Sequence, residues 1–231
     1  MGMGNEKETS SPLVVIPAYN PGELIAELLQ RLKDIHPLEH TLIVNDGSTD
    51  DTEQHALKFE VNVIKHPQNR GKGAALASGY QFAFKNNYDA VITMDADLQH
   101  PPEYIPELIK RVKEGGFDMV IGSRRHALKD IPVHRRLSNY LTSKIISKLS
   151  KMPIEDSQSG FRYISCGLLE SITLMEPGYQ QESEIIIKAA RAGFKIGFTP
   201  IPVIYNDAPS SMKHIKDTLR FIRLTIRSKF Y

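Results

Sequence analysis

The sequence predicts a single α/β domain with a mostly parallel central sheet and helices on both faces of that sheet. Short apolar runs alternate with helix-length amphipathic patterns over residues 13–121. Turn-forming residues separate the two kinds of segment, and no internal repeat is present. Strands joined through helices form right-handed βαβ units, whose strands run parallel. A chain of 231 residues is of ordinary length for one such domain.

Five strands, with helices between them, are predicted in order along the first half of the chain. Apolar and β-branched residues predict strands at 13–17, 41–45, 61–65, 90–94 and 118–121. Helices are expected from Pro21, over 71–86, and from Pro101 to about Glu114. The second half of the chain is less regular in its pattern.

Composition excludes several classes of protein. The chain has no apolar run of 18 residues, so no membrane-spanning helix is expected. Cys166 is its one cysteine, which rules out an intramolecular disulfide and a cysteine-rich zinc site and favours a reducing, cytoplasmic compartment. Residues 1–12 lack the features of a signal peptide and are expected to be a flexible lead to a domain at 13–231.

Basic residues are concentrated in two blocks. Residues 124–151 hold eight Lys or Arg and one acidic residue, and residues 213–229 hold six and one. The chain as a whole carries a net charge of only +2, so the remaining residues are acidic on balance. Single-sign blocks within a nearly neutral protein indicate an anionic partner. Nucleic acid is not expected, because no stacking aromatic residues or nucleic-acid motif accompany the basic residues.

Residues 138–152 predict an amphipathic helix with an apolar row and a basic row. Leu141, Ile145 and Leu149 recur at i, i+4 and i+8, and lysines lie between them. One interpretation is that such a helix lies on an anionic bilayer, which would make the protein peripheral to a membrane. The other is that the helix docks on the core with its lysines outward. The sequence leaves both open.

Polar residues follow each of the five predicted strands. They lie at 17–20, 45–48, 66–73, 95–99 and 122–124. The carboxyl ends of parallel strands meet at one edge of a sheet, and this edge is where open α/β sheets bind their ligands. The sequence therefore predicts a binding site there.

An acidic motif after the fourth strand predicts a metal site. Asp95, Asp97 and Gln99 alternate along the chain, and residues two apart in extended backbone face the same side. Two carboxylates and an amide oxygen suit Mg²⁺ or Mn²⁺, which keep coordination positions for substrate phosphates. In the competing interpretation Asp95 caps the next helix and Asp97 is a solvated surface residue.

Asp46 follows the second strand, inside an Asp-Gly-Ser-Thr-Asp turn. Such turns are acidic in unrelated proteins, but a carboxylate at this edge can also accept an N–H of a pyrimidine or guanine base. Tyr19 is expected to pack beside that base. Gly71 and the glycine after Lys72 match neither the P-loop nor the dinucleotide-binding pattern, and are expected to let the backbone approach a ligand.

These motifs together resemble the inverting glycosyltransferases of family 2, which have the Rossmann-like GT-A fold. The matching segments are IPAYN, IVNDGSTD, NRGKGAALASG, MDADLQHPP and GSR, and the resemblance covers roughly residues 13–215. The segments DADLQ, GSR, RRLSN and DSQSGFR are similar to the branch of dolichyl-phosphate mannose synthase and other polyprenyl-phosphate glycosyltransferases. Asn45 stands where the family commonly has the first Asp of an Asp-Asp-Gly-Ser motif.

The resemblance implies a donor half at 13–123, an acceptor half at 124–231 and a role for each matching residue. Those implied to bind the nucleotide sugar are Pro17, Tyr19, Asn20, Asp46, Gly71, Lys72, Asp95 and Ala96. Those implied to hold Mg²⁺ or Mn²⁺ are Asp95, Asp97 and Gln99. Those implied to bind the acceptor phosphate are Arg124, Arg135, Arg136, Ser138 and Arg162. Asp97, Arg124 and Arg135 would be the catalytic residues.

A phosphate acceptor fits the first basic block. A phosphate monoester is already largely anionic at neutral pH, so it needs no general base, and arginines reduce its repulsion from the donor diphosphate. The predicted reaction moves a sugar from a UDP- or GDP-sugar to a polyprenyl phosphate at the cytoplasmic membrane face, with or without a membrane partner protein. Two alternatives stay open: transfer to a hydroxyl of a glycan or small molecule, and a non-catalytic sugar-nucleotide-binding protein.

Overall fold

The computed structural model describes residues 11–126, 133–175, 178, 180–204 and 225, with only the backbone for 133–135. Its strands are β1 (Leu13–Ala18), β2 (Thr41–Asn45), β3 (Asn62–Lys65), β4 (Ala90–Thr93), β5 (Met119–Ser123), β6 (Arg162–Ser165) and β7 (Ile196–Pro200). They form one sheet in the order β3-β2-β1-β4-β6-β5-β7. β6 pairs antiparallel with β4 and β5, and the other pairs are parallel. The predicted mostly parallel sheet is confirmed.

Helices connect these strands in the predicted order. They are α1 (Leu24–Leu32), α2 (Thr52–Ala56), α3 (Lys72–Lys85), α4 (Ile105–Gly115), α5 (Val133–Ser150), α6 (Cys166–Ser171) and α7 (Gln180–Arg191). The segment from Pro101 starts with a 3-10 turn at Pro102–Tyr104 before α4, and α5 begins five residues earlier than the sequence predicts. Within the described ranges, none of the helices combines the length and apolar character needed to cross a membrane.

Helices cover both faces of the sheet because successive side chains of a strand point to opposite sides. Leu13 and Val15 of β1 belong to a buried cluster that includes α3, α6 and α7. Val14 and Ile16 belong to a second cluster that includes α1 and α4. The near-continuous burial of β1 is typical of a parallel strand covered on both sides.

The second half contains structure that the sequence pattern did not predict. β6 enters the sheet between β4 and β5, and β7 extends it beyond β5. Cys166 is buried as expected, and burial raises the pKa of its thiol to about 11, so the thiol stays protonated at neutral pH. The lead at 1–10 and the basic segment at 213–229, apart from Thr225, lie outside the described residues.

Candidate active site

The polar loops that follow β1 to β5 share one edge of the sheet. β1, β2, β3 and β4 are connected by parallel pairs. β6 is antiparallel to both β4 and β5, which makes β4 and β5 parallel to each other. The carboxyl ends of all five strands therefore point the same way, and the candidate site is built from the residues that follow them.

Asp46 fixes the loop after β3. Its carboxylate accepts the backbone N–H groups of Arg70 (3.0 Å) and Gly71 (2.7 Å). His66 Nδ1 lies 2.6 Å from Asp46 Oδ1 and donates to it, because an ionised carboxylate can only accept. His66 Nε2 is hydrogen-bonded to the Ser78 hydroxyl at 2.9 Å. This positioning role was not predicted from the sequence, and the base contact assigned to Asp46 stays a prediction.

The turn after β2 packs directly on the loop after β3. Gly47 has φ +73°, and a Cβ at this position would lie 2.5 Å from the carbonyl carbon of Gln68 and 2.6 Å from the Asn69 nitrogen. Asn45 accepts the Ser48 N–H at 2.9 Å, the bond that an aspartate in its place would make. The departure of Asn45 from the family motif therefore preserves the turn.

The end of β1 is joined to the same turn. Asn20, at φ 52°, accepts the Thr49 N–H through its side chain (2.8 Å) and donates its own N–H to the Ser48 hydroxyl (3.0 Å). Pro17 is half-buried, and the Tyr19 side chain next to it is 51% exposed. An exposed aromatic ring at this edge is available to pack on a base, which is the role predicted for Tyr19.

Asp95 and Asp97 follow β4 directly, and Lys72 at the start of α3 lies beside them. Lys72 Nζ is 2.5 Å from Asp95 Oδ1 and 3.0 Å from Glu182 Oε1. The Gln99 N–H donates to Asp97 Oδ1 at 3.0 Å. The structure thus brings Lys72 and Asp95, two predicted site residues, together with Glu182, whose segment the family resemblance places on the acceptor side of the pocket.

The electrostatics of this cluster favour a further positive charge. Burial raises the pKa of the Asp95 carboxyl, but Lys72 more than offsets this and holds it below its usual value. Burial and the charge of Asp95 together raise the pKa of Asp97. Burial lowers the pKa of His100 to about 4, so its ring is neutral at pH 7 and Nδ1 accepts the Asp95 N–H at 3.0 Å. The adjacent carboxylates are therefore only partly compensated by Lys72.

Gly160 closes one side of this cluster. A Cβ added there would lie 2.9 Å from Lys72 Nζ, 3.0 Å from Asp95 Oδ2 and 3.0 Å from Glu182 Oε1. Contacts this short would require the charged ends of these three side chains to shift. The DSQSGFR segment therefore approaches the acidic edge at a position where a side chain would displace the charged groups. No spacing in the sequence connects Gly160 with Lys72 and Asp95, because the three come from distant parts of the chain.

Arg124, the predicted catalytic and acceptor-binding arginine, forms a two-point ion pair with Asp156. Arg124 Nε lies 2.8 Å from Asp156 Oδ2, and Nη2 lies 3.1 Å from Oδ1. Burial raises the pKa of the Asp156 carboxyl, but Arg124 outweighs that effect and the pKa is below its usual value. The same carboxylate accepts the N–H groups of Gln158 and Ser159 at 3.1 Å each. Asp156 therefore orients Arg124 and folds the turn that leads to Gly160.

Arg162 has surroundings that do not suit the predicted contact with an acceptor. Its side chain is fully buried, and its guanidinium donates to the carbonyl oxygens of Ser159 (2.7 Å), Glu182 (2.6 Å) and Ser157 (3.0 Å). These bonds tie the DSQSGFR segment to the start of α7. The structure gives Arg162 a role in holding the acceptor-side loop in place, and its contact with an acceptor stays a prediction.

The remaining predicted acceptor residues lie at the beginning of α5. Arg136 is half-buried and Ser138 is exposed, and the side chain of Arg135 lies outside the described residues. Ala96 is buried between the two aspartates. The contacts predicted for these residues with an acceptor or donor remain predictions.

The acidic edge has the oxygen donors that a hard divalent cation requires. The described residues contain no group of three or more His, Cys, Asp or Glu side chains arranged to hold a metal ion alone. Asp95, Asp97 and the amide of Gln99 would supply an incomplete set of oxygen ligands, which leaves coordination positions for substrate phosphates. The raised pKa of Asp97 shows that a cation would relieve repulsion there. These residues fit Mg²⁺ or Mn²⁺.

Fold and site together define a glycosyltransferase of the GT-A type that uses a nucleotide sugar. The family model for glycosyl transferase family 2 matches residues 13–173, and the chain belongs to that family. The predicted family, fold and enzyme class are confirmed.

Similar proteins include enzymes named for lipid-phosphate acceptors. A UDP-N-acetylglucosamine–dolichyl-phosphate N-acetylglucosaminyltransferase of Methanococcus voltae is 31% identical over 84% of this chain and 86% of its own length. An undecaprenyl-phosphate mannosyltransferase of Micrococcus luteus is 29% identical over 86% of each chain. The crystal structure of glucosyl-3-phosphoglycerate synthase of Mycobacterium tuberculosis with UDP matches 95% of this chain and 80% of that one, with a TM-score of 0.76 at 21% identity. This structural match supports the fold.

Proposed function

We propose that this glycosyltransferase moves a sugar from a UDP- or GDP-sugar to a polyprenyl phosphate, with inversion and with Mg²⁺ or Mn²⁺. The observation that carries the proposal is the arrangement of charges at the sheet edge. The acidic pair Asp95 and Asp97 lies beside a second region in which Asp156 is paired with Arg124 and helix α5 contains no acidic residue. The first region suits a metal and a diphosphate, and the second suits an anionic acceptor.

The donor would bind across the loops after β1, β2 and β3. Tyr19 would pack on the base, and Asp46 would hold the loop of Gly71 and Lys72 against the donor. Lys72 carries its charge between Asp95 and Glu182, close to where a diphosphate would meet the metal ligands. A lysine in that position offsets part of the negative charge of the donor phosphates.

The metal would be held by Asp95, Asp97 and Gln99. When bound, a divalent cation stabilises the negative charge on the departing nucleoside diphosphate. The chain itself contributes Lys72, whose pKa is raised by Asp95 and Glu182 against the lowering effect of burial, so that its ammonium stays charged. His100 holds the backbone of Asp95, and with it the end of β4, in a fixed orientation.

A phosphate acceptor fits the described residues of the acceptor side, among which no well-placed base stands out. A hydroxyl acceptor would need a carboxylate ready to accept a proton. Asp156 has a pKa below its usual value because of Arg124, which makes it a weak proton acceptor. Glu182 is paired with Lys72 at 3.0 Å. An anionic phosphate oxygen can attack the sugar directly, and cations such as Arg124 would lower its repulsion from the diphosphate.

The names of the relatives support the same acceptor. The Methanococcus voltae and Micrococcus luteus proteins are named for transfer to dolichyl phosphate and undecaprenyl phosphate. Manganese and magnesium occur in crystal structures of the Mycobacterium tuberculosis neighbour with UDP, which supports the proposed cofactor. A lipid acceptor would bring the enzyme to the cytoplasmic face of a membrane, through its own surface or through a membrane partner.

Radiolabelled nucleotide sugars test the proposal directly. The enzyme is incubated with each UDP- or GDP-sugar, a polyprenyl phosphate in detergent, and Mg²⁺ or Mn²⁺, and the product is extracted into organic solvent. Label in the organic phase that depends on both metal and lipid phosphate is the expected result. Label that stays in the aqueous phase and appears only with a glycan or small-molecule hydroxyl acceptor would overturn the proposed acceptor while leaving the donor chemistry intact.

A further inference from the structure

Helix α5 turns large apolar side chains outward and serines inward. Leu137, Tyr140, Leu141 and Ile145 are 58%, 60%, 50% and 38% exposed. Ser143 and Ser150 are buried on the inner face together with Ile146. The sequence left open whether Leu141, Ile145 and Leu149 face the core. The structure places Leu149 against the core and leaves Leu141 and Ile145 exposed.

Hydrogen bonds hold the inner face in this orientation. The Ser143 hydroxyl accepts the Ser157 N–H at 3.1 Å, and the Ser147 hydroxyl accepts the Ile154 N–H at 2.9 Å. Arg191 of α7 donates to the Leu149 carbonyl at 2.9 Å. The helix is therefore fixed by bonds to the acceptor-side loop and to α7, and its outward apolar residues are not a consequence of loose docking.

The outward face of α5 combines apolar area with positive charge. Lys144 and Lys148 are exposed on it, one helical turn apart, and Lys144 Nζ is 5.8 Å from the centroid of the Tyr140 ring. The 18 residues of α5 contain no Asp or Glu. Four of the seven exposed large apolar residues in the described chain lie on this one face, whereas Tyr19, Leu57 and Met175 lie apart in the sequence. A cluster of this kind marks an interaction surface.

We infer that the α5 outer face (Leu137, Tyr140, Leu141, Lys144, Ile145 and Lys148) docks on an anionic lipid bilayer. The apolar side chains would enter the acyl boundary, and the lysines would extend to the headgroup phosphates. A second copy of the chain fits less well, since a symmetric contact through this face would bring lysines together without a carboxylate from either helix.

Docking through this face would place the start of α5 at the membrane surface. Arg136 and Ser138, the predicted acceptor residues, lie within the first turns of the same helix. The biological reason for such docking rests on the proposed lipid-phosphate acceptor, because the phosphate of a lipid substrate lies at the membrane surface. The physical property itself, attachment to anionic vesicles, is independent of donor, acceptor and metal.

Vesicle co-sedimentation without substrate tests the inference. Vesicles of phosphatidylcholine with and without phosphatidylglycerol are mixed with wild type, with Leu137→Ser/Leu141→Ser/Ile145→Ser, and with Lys144→Gln/Lys148→Gln. Both variants are expected to reduce the partition coefficient on anionic vesicles by about tenfold or more. The lysine variant should also flatten the salt dependence. Leu57→Ser and Lys33→Gln/Lys58→Gln, at exposed positions elsewhere, are the matched controls and should bind as wild type.

Two further measurements distinguish the outcomes. Transfer to a polyprenyl phosphate in detergent should be unchanged in the serine variant. This measurement distinguishes a loss of transfer activity from a loss of vesicle binding. Sedimentation velocity tests the oligomeric state over a range of concentrations. Equal vesicle binding by wild type and the serine variant would overturn the inference. A wild-type dimer that the serine substitutions dissociate, without vesicle binding, would assign the face to a second copy instead.

Discussion

The donor side and the acceptor side of the active site are assembled by different means. On the donor side, functional groups follow strands of a parallel sheet, and Asp46 and Asn20 join the loops through bonds to backbone N–H groups. On the acceptor side, Arg162 is buried and donates to three carbonyl oxygens, and Asp156 is buried against Arg124. Strand order places the donor-side groups, whereas the buried side chains of Arg162 and Asp156 hold the acceptor-side loop.

The difference indicates how the two sides respond to change. Removing Asp97, which lies at the sheet edge, deletes chemistry and leaves the sheet intact, whereas removing Asp46 also deletes the bonds that hold the loop after β3. Removing an acceptor-side group deletes a buried bond as well, so its effects on activity and on stability are combined. Five substitutions, from the largest expected effect to the smallest, test this contrast.

Asp97→Ala should reduce transfer by at least about a thousandfold, since a ligand of the catalytic cation supports several kcal/mol of transition-state stabilisation. The melting temperature should change little, because the side chain lies at the sheet edge outside the apolar core. Asp34→Ala, at an exposed acidic residue of the chain, is the control. Near-normal turnover of Asp97→Ala in saturating Mn²⁺ would remove Asp97 from the metal site.

Gly160→Ala should lower kcat by roughly a hundredfold, because the methyl group pushes on the cluster of Lys72, Asp95 and Glu182. Gly167→Ala is the matched control, since a Cβ there has no neighbour within 4 Å. Steady-state kinetics and thermal melting are measured for both. If Gly160→Ala were as active as Gly167→Ala, the acceptor-side loop would not approach the acidic edge as closely as the structure has it.

Arg135→Gln/Arg136→Gln should reduce transfer to lipid phosphate at least about tenfold, since charge-assisted contacts contribute roughly 1.5–3 kcal/mol each. Hydrolysis of the donor by water, which brings no second anion, should survive better. Lys110→Gln/Lys113→Gln on α4 removes the same charge elsewhere and is the control. An equal loss of hydrolysis and transfer would assign the two arginines to the donor diphosphate and favour the hydroxyl-acceptor alternative.

Asp46→Ala should raise the donor KM several-fold and also destabilise the fold by about 1–3 kcal/mol, because the N–H groups of Arg70 and Gly71 lose their acceptor. The two effects are read from initial rates and from urea unfolding. His66→Asn removes one of the three donors to the same carboxylate. It should cause a smaller rise in the donor KM and a smaller loss of stability. A change confined to kcat would contradict a role in holding the donor.

The ion pair of Asp156 with Arg124 should contribute a pH-dependent part of the stability. The pKa of Asp156 is lower in the folded protein than in the unfolded chain, so its contribution is present above about pH 4 and is lost as the pH falls through the folded pKa. Asp156→Asn should therefore be less stable than wild type at pH 7 by about 1–2 kcal/mol, with the gap closing in acid. Unfolding curves from pH 7 to pH 2.5 measure it. A constant difference in stability between wild type and Asp156→Asn across this pH range would show that the charge of Asp156 does not cause the difference.

The sequence predicted the strands of the donor side closely because its signals are local. Apolar runs of about five residues predict the strands, and polar residues such as Asp46 and Asp95 mark where the strands end. β6 went unrecognised because it is four residues long, begins with a charged residue that is nonetheless buried, and gains its stability from pairing with β4 and β5. Arg162 was expected to bind an anion, since nothing within a sequence reveals that three carbonyl oxygens surround a guanidinium.

Helix α5 shows a different limit of pattern reasoning. The periodicity of Leu141, Ile145 and Leu149 correctly predicts a helix, but it does not determine which face is inward. Ser143 and Ser147 on the inner face accept N–H groups of the segment that follows the helix, and Ser150 donates to the Ile146 carbonyl within the helix. Hydrophobicity alone gives no sign of this. Where a helix has two faces that could point inward, its orientation is determined by the segments of the chain that pack against it.

The close contact at Gly47 means that the loop after β2 and the loop after β3 must match each other in shape. Asp46 accepts the N–H groups of the loop after β3, and Gly47 lies so close to the backbone of Gln68 and Asn69 that a side chain would clash with it. If only one of these loops were replaced by the loop of another family member, the new loop would pack against a backbone whose shape fits the original loop. Chimeras designed to change the nucleotide or sugar should therefore carry both loops from the same parent.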